Sequence, residues 1–233
     1  RDQWFEVNAY PSEDGLSVFL RDITEQVELQ QKLESLHGIT RELIVAGSDA
    51  EIASGTIDAA EDVLGFSLVA LWRYNDATDR LDPLAWSDGI DDRVGELEPL
   101  GRDSEFIWEV YETGDSRLLG SVPATTPTSH HPGNVTSELL VPIGDYGVLG
   151  AYADECDAFD ETDADLFRLL ASTVESAFAR TLRERQLAQR NERLNDFASV
   201  VSHDLRNPLN VASAHTELAR GTDDVDPHLD KID

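Results

Sequence analysis

One stretch has residue types and spacing suited to chemistry: Phe197-Ala198-Ser199-Val200-Val201-Ser202-His203-Asp204-Leu205-Arg206-Asn207-Pro208-Leu209. Leu187, Asn191, Leu194, Ala198, Val201 and Leu205 recur at alternating steps of four and three, the seam of a heptad helix. In that register His203 takes the most outward-facing position, off the apolar stripe where a structural histidine belongs. A solvent-facing imidazole, with an ordinary pKa of about 6.5, is substantially neutral near pH 7 and nucleophilic at nitrogen. Asp204 follows directly and is suited to hydrogen-bond one ring nitrogen, which fixes the tautomer so that the other attacks. Pro208 removes a backbone donor and is expected to bend the helix one turn beyond the histidine. The string Ser202-His203-Asp204 invites a hydrolase reading, but consecutive helical residues point about 100° apart and cannot align as a Ser–His–Asp relay.

The thirteen-residue stretch closely resembles the H-box of the dimerisation and phosphoacceptor domain of sensor histidine kinases. The resemblance implies that His203 is the phosphoacceptor and Asp204 its acid/base partner. It also implies that Asn207 occupies the position linked to dephosphorylation of the regulator, with Arg206 and Pro208 completing the motif. It further implies a homodimer formed through a four-helix bundle and a response-regulator receiver domain as partner. ATP and Mg²⁺ would be held by a separate catalytic domain, since the sequence has neither an asparagine-rich box nor a glycine-rich ATP lid. Gly221 to Asp226 reads as the loop of a helical hairpin, and Pro227 to Asp233 as the start of its second helix. The competing reading is a ligand-binding sensory or transcription-regulatory module with no kinase activity.

The elements that position this stretch follow from periodicity. Residues 1–25 alternate as two strands around the turn Pro11-Ser12-Glu13-Asp14-Gly15. Residues 26–46 read as a linker helix, with Leu29, Leu33, Leu36, Thr40 and Leu43 forming a heptad seam that suits either a coiled coil or packing on the next domain. Ser48-Asp49-Ala50-Glu51 is a capping box for a helix carrying Ile52, Ile57, Ala60, Val63 and Leu64. Strands are expected at Phe66 to Tyr74, Arg80 to Trp86, Arg117 to Val122, Glu138 to Ile143 and Val148 to Ala153, with a short helix from Phe106 to Thr113. Residues 87–105 and Pro123 to Asn134 read as loops. Asp160-Glu161-Thr162-Asp163 caps a long helix with no break before Pro208.

Element order makes residues 47–180 similar to a GAF domain, and Trp4 to Gln26, closing on Arg21-Asp22-Ile23-Thr24-Glu25, similar to the exit of a PAS domain. Residues 181–195 would then be a connecting coiled-coil helix, and residues 196–233 the start of the phosphoacceptor domain. The fold class is α+β: a GAF-like antiparallel sheet of five or six strands with flanking helices, a PAS hairpin remnant before it and a long coiled-coil or helical-hairpin segment after it.

Composition narrows the partners. The 233 residues carry 47 Asp and Glu against 18 Lys and Arg, a net charge of −29. Such a surface repels nucleic-acid phosphates and anionic lipid, so neither is an expected partner. Residues 181–233 hold ten acidic and seven basic residues, which leaves 37 acidic and 11 basic, a net −26, for residues 1–180. Lys32 and Lys231 are the only lysines beside 16 arginines, the pattern of a protein adapted to a salt-loaded cytoplasm; the reading is a haloarchaeal-type kinase. A single cysteine fits a reducing compartment, and no apolar run is long enough to span a membrane. No methionine occurs, and the chain reads as a piece of something longer.

The remaining candidates weigh toward structure. Cys156 has acidic neighbours and no adjacent histidine of the kind that accompanies bilin attachment in GAF domains. His130-His131 has no carboxylate or thiol at ligand spacing. Asp157 to Asp165 lacks the glycine and spacing of a calcium loop. Phe66, Trp72, Tyr74, Trp86 and Trp108 suit either a ligand cavity, its ligand unknown, or an ordinary core.

Overall fold

In a computed structural model the described residues are 3–12, 15–94, 97–121 and 135–221; side chains of most residues from 198 onward lie outside the description. The chain divides into two compact units, Arg1–Thr181 and Leu182–Asp233.

The first unit opens with β1 (Phe5–Ser12) and β2 (Gly15–Asp22), an antiparallel pair forming its own two-stranded sheet. Their junction with α1 (Thr24–Val45) is tied by three side-chain and backbone bonds. Trp4 N–H donates to Thr24 Oγ1 (2.9 Å), Thr24 N–H to Asp22 Oδ1 (2.9 Å), and Ile23 N–H to the Trp4 carbonyl (3.0 Å).

The heptad seam of α1 divides. Leu36 and Leu43 are buried in the core with Leu33 and Ile39 against them, whereas Leu29 is 37% exposed. The seam therefore docks on the following domain over most of its length.

Helix α2 (Asp49–Ala59) starts as the capping box requires, with Ser48 Oγ accepting the Glu51 N–H at 3.2 Å. The Glu51 carboxylate reaches one residue further back than in the standard box, to Gly47 N–H at 2.7 Å. The helix does not run uniformly to Leu64: Ala60–Leu64 is a π-helical turn. Gly65, at φ 83°, closes it by donating to the Glu61 carbonyl while Phe66 N–H returns to Ala60.

Five strands form the main sheet: β3 (Val69–Asn75), β4 (Arg80–Trp86), β5 (Arg117–Leu119), β6 (Ser137–Pro142) and β7 (Gly147–Ala153). Their order is β4-β3-β7-β6-β5, with every neighbouring pair antiparallel. Both faces are covered, so the central strands are apolar on both sides instead of alternating with polar residues. Val69, Leu71, Leu139, Val141, Leu149 and Ala151 face a core shared with α1, α2 and α5 (Glu161–Gly221). Ala70, Trp72, Leu140, Val148 and Tyr152 face a second core closed by α3 (Asp88–Val94), α4 (Glu105–Thr113) and Leu97 to Leu100. The mixed α+β, GAF-like fold expected from the sequence is the fold observed.

Three expectations need correction. Residues 87–105 are not wholly loop, because Asp88–Val94 forms α3 beneath the sheet edge, where Ile90 is fully buried. The strand expected to reach Val122 ends at Leu119. Gly221, expected to open a loop, is instead the last residue of α5, which runs as helix through Pro208. A proline removes a single i→i−4 bond, and the bonds on either side carry the helix through. Pro123 to Asn134, the rest of the loop expected over Gly221 to Asp226, and the second helix expected from Pro227 to Asp233 lie outside the described residues.

Candidate functional site

Helix α5 begins on a reciprocal cap: Asp160 Oδ1 accepts from Asp163 N–H at 2.9 Å, and Asp163 Oδ2 accepts from Asp160 N–H at 3.2 Å. This assigns part of the Asp157 to Asp165 cluster to helix initiation. Within the first unit α5 is amphipathic, burying Ala164, Phe167, Leu170, Ala171, Val174, Ala177 and Phe178. In the second unit Leu182, Leu187, Leu194 and Phe197 are exposed, Phe197 at 68%; Leu187 and Leu194 lie on the heptad seam seen in the sequence. His203, Asp204, Arg206, Asn207 and Pro208 all lie on helical backbone of α5, with His203 and Asn207 four residues apart, about 6 Å along the axis. The helix thus supplies the one-turn spacing that the motif requires.

The sensory candidate is the second core of the first unit. Glu138 on β6 is fully buried and lies directly across the ladder from Tyr152 on β7. Burial, and then the Glu138 charge, push the Tyr152 phenol well above its ordinary range, with the Trp72 indole N–H pulling the other way. Tyr152 therefore stays protonated. Trp108 of α4 is buried, and its Nε1–H meets no acceptor among the described residues. Outside this group Tyr74, Trp108 and Tyr111 stack or meet edge to face at 4.9–6.2 Å. Arg102 lies over the Trp108 ring at 4.6 Å and is held bidentately by Asp79 (2.8 and 3.0 Å) and by Glu112. Burial and neighbouring groups push the Tyr111 hydroxyl up to about 12.

The five aromatics singled out in the sequence therefore do not share one cavity. Phe66 packs in the first core against Phe159 and Phe167, and the other four border the second. Cys156 is exposed and free in a turn after β7. His130 and His131 lie outside the described residues. Among the described residues no three His, Cys, Asp or Glu side chains group to hold a metal, and no helix is long and apolar enough to cross a membrane.

Sequence reasoning missed the buried polar pair Glu138 and Tyr152, because Glu138 sits in a run otherwise read as apolar strand. It also missed the bridging arginines. Arg93 Nη1 and Nη2 clasp Asp154 at 2.6 and 2.7 Å, Arg73 pairs with Asp49, and Arg180 donates to the Ala46 carbonyl at 2.6 Å. Their one sequence signal was scarcity: few cations in so acidic a chain leaves each with many potential partners.

Comparison with known proteins agrees with this geometry. Residues 48–179 match the GAF domain family, and residues 193–233 match the His Kinase A (phospho-acceptor) domain. No curated protein sequence matches the chain. Among solved structures, the chain is similar to the GAF domain of a phosphoenolpyruvate-protein phosphotransferase from Coxiella burnetii. That match has 20% identity over 68% of this chain and 98% of that one, with a TM-score of 0.58. The corresponding domain from Acinetobacter matches at 16% identity over 65% of this chain and 95% of that one, TM-score 0.57. Free methionine-R-sulfoxide reductase from Neisseria meningitidis matches at 20% identity over 67% and 93%, TM-score 0.56. At these identities the likeness is one of fold.

Proposed function

The chain belongs to the GAF domain family, and from that premise we propose that it is the sensory and phospho-accepting part of a sensor histidine kinase. One observation carries the reading. The stretch His203-Asp204-Leu205-Arg206-Asn207-Pro208 falls inside the matched phospho-acceptor segment and on the helix that leaves the GAF domain.

In the proposed reaction a ring nitrogen of neutral His203 attacks the γ-phosphorus of ATP. The new P–N bond replaces the bond to the β,γ-bridging oxygen, and ADP leaves. Asp204 orients the ring and takes up positive charge developing at the other nitrogen. The phosphoryl group then passes to an aspartate carboxylate of a response regulator, restoring neutral His203. Asn207, one turn away, is assigned to hydrolysis of the regulator's phosphate, with Arg206 and Pro208 shaping the surface the regulator meets. ATP and Mg²⁺ are brought by a catalytic domain. The exposed apolar positions Leu187, Leu194 and Phe197 support homodimerisation through the helix.

The same reading extends to the hairpin and the charge. The hairpin before α1 is proposed as a PAS exit, supported by the clamp at Asp22-Ile23-Thr24. The acidic surface is proposed as salt adaptation in a cytoplasmic setting, supported by the net charge of −29. The test is radiolabelled ATP with a catalytic domain supplied in trans. Acid-labile label on the chain, lost in His203→Gln, is expected; label that persists on His203→Gln overturns the assignment.

A further inference from the structure

Helix α1 enters the GAF domain and α5 leaves it, and the two meet at two places. Near their starts they line one open groove of about 570 Å³, with Glu28, Leu29 and Lys32 on one side and Thr162, Asp163 and Leu166 on the other. Near their ends Arg180 Nη2 donates to the Ala46 carbonyl at 2.6 Å. Lys32 to Ala46 and Leu166 to Arg180 each span fourteen residues, so the two meeting points are equally spaced, by about 21 Å, along both helices.

The far end of this pair is built for a cation. The last turn of α1 has no basic residue of its own; Ala46 N–H still donates to the Glu42 carbonyl at 3.2 Å, but the backbone turns away at ψ 131°, which leaves the Ala46 carbonyl outside the helical bonds. The carbonyls at a helix end carry partial negative charge and need donors. Arg180 of α5 supplies both the donor and the charge from across the interface. The surroundings fix α5 at the same place. Phe178, two residues earlier, is buried between the Tyr146 ring (5.7 Å) and the Arg73 guanidinium (5.4 Å). Arg73 in turn pairs with Asp49 in the first turn of α2. The end of α1, the start of α2, strand β3 and α5 thus converge within one turn of Thr181, where the first compact unit ends.

We propose that Arg180 is a positioning residue that couples α1 to α5: a displacement of α1 by an upstream signal pulls on the helix that carries His203. The proposal rests on the phosphoacceptor reading for its consequence at His203, and on the Arg180–Ala46 geometry for the coupling itself.

The experiment uses the full chain with Cys156→Ser and spin labels at Glu42→Cys and Ser176→Cys, both exposed positions. Arg180→Met keeps the length of the side chain and removes its donors; Arg180→Lys restores one donor and the charge; Arg183→Gln is the exposed comparison. With ATP and a catalytic domain supplied in trans, Arg180→Met is expected to broaden the α1–α5 distance distribution and to change phosphate incorporation at His203 at least about fivefold, the low end of ordinary coupling. Arg180→Lys is expected to recover both, and Arg183→Gln to move neither. Thermal unfolding of each variant separates loss of coupling from loss of fold. An unchanged distance distribution in a folded Arg180→Met protein overturns the coupling. An altered distribution with an unchanged phosphorylation rate overturns its consequence. Absence of phosphate on the unsubstituted chain strikes the phosphoacceptor reading, while the distances still decide the coupling.

Discussion

Replacing Leu43 by alanine tests whether α1 is docked on the GAF core or paired with another helix. Leu43 is 2% exposed and Leu29, two heptad steps earlier, is 37% exposed. Removing a buried leucine side chain forfeits its transfer free energy and leaves a hole, together about 3 kcal/mol. Leu29→Ala removes a side chain that is already partly wet and costs about 1 kcal/mol or less. The structure adds a sharper expectation. A β-carbon at Gly55 of α2 would lie 3.1 Å from Leu43 Cδ2, so the bare glycine is what lets the two helices approach. Gly55→Ala gains about 1 kcal/mol of helix propensity but must displace Leu43 by a few tenths of an ångström. In the Leu43→Ala background that obstruction is gone, so the double variant is expected to recover about 1 kcal/mol. Urea unfolding followed by tryptophan fluorescence, at two protein concentrations, reads all four proteins. Equal costs for Leu29→Ala and Leu43→Ala, with midpoints that rise with protein concentration, would show that the seam belongs to an intermolecular coiled coil.

Four further outcomes are expected. Glu61, on the π-helical turn, is held above its ordinary carboxylate range by burial and then by Asp88, Asp58 and Asp62. A raised acid gains stability as pH falls and loses it as pH rises. Glu61→Gln is therefore expected to raise the melting temperature at neutral pH and low salt, by up to about 0.5 kcal/mol in stability, and to do little in concentrated salt. Asp79 and Asp154 are held low by hydrogen bonds from Arg102 and Arg93. Their pairs contribute fully above about pH 4 and are lost as pH falls through the depressed values, so hydrogen-exchange protection relative to the intrinsic rate should fall in α3 (Asp154–Arg93) and α4 (Asp79–Arg102) on acidification below about pH 4. Thr24→Val is expected to speed amide exchange at the hairpin–α1 junction, at a cost of about 1 kcal/mol, without moving the GAF unfolding transition. Arg93→Lys keeps the charge but not the fork on Asp154, and is expected to loosen α3 by at most about 1 kcal/mol; exchange rates in α3 identical to the parent's at low salt would sink that account.

The fold was legible where one rule governed a segment. Ser48 and Glu51 announce the start of α2, Gly114 at φ 73° ends α4 as its position foretold, and Asp145-Tyr146-Gly147 joins two apolar runs into the β6–β7 hairpin. Helix α3 was illegible because Asp88-Gly89-Ile90-Asp91-Asp92 offers one apolar residue and four that favour turns, and tertiary burial of Ile90 decides the outcome. In the candidate site, the His203 segment could be singled out from the sequence because its residues fall within six consecutive positions. The Glu138–Tyr152 pair was not, because its two members are fourteen residues apart and meet only through strand register.

The arginines explain why so acidic a domain can hold its layers together. Residues 1–180 carry 11 basic residues against 37 acidic ones, so most carboxylates have no cation to share. Five of the arginines are placed at junctions. Arg73 joins β3 to the start of α2, Arg93 joins α3 to the end of β7, and Arg102 joins the β3–β4 turn to α4. Arg117 joins β5 to α4, and Arg180 joins α5 to the end of α1. A lysine ammonium at such a place offers a point charge on a flexible stem, whereas the guanidinium fork fixes direction as well as distance. Direction matters at a junction, because the partner elements are otherwise held by apolar contacts that resist sliding only weakly. The near absence of lysine from this part of the chain then follows from the work its cations do. Those five arginines fix direction at the junctions they bridge, including the one at the root of the helix that carries His203.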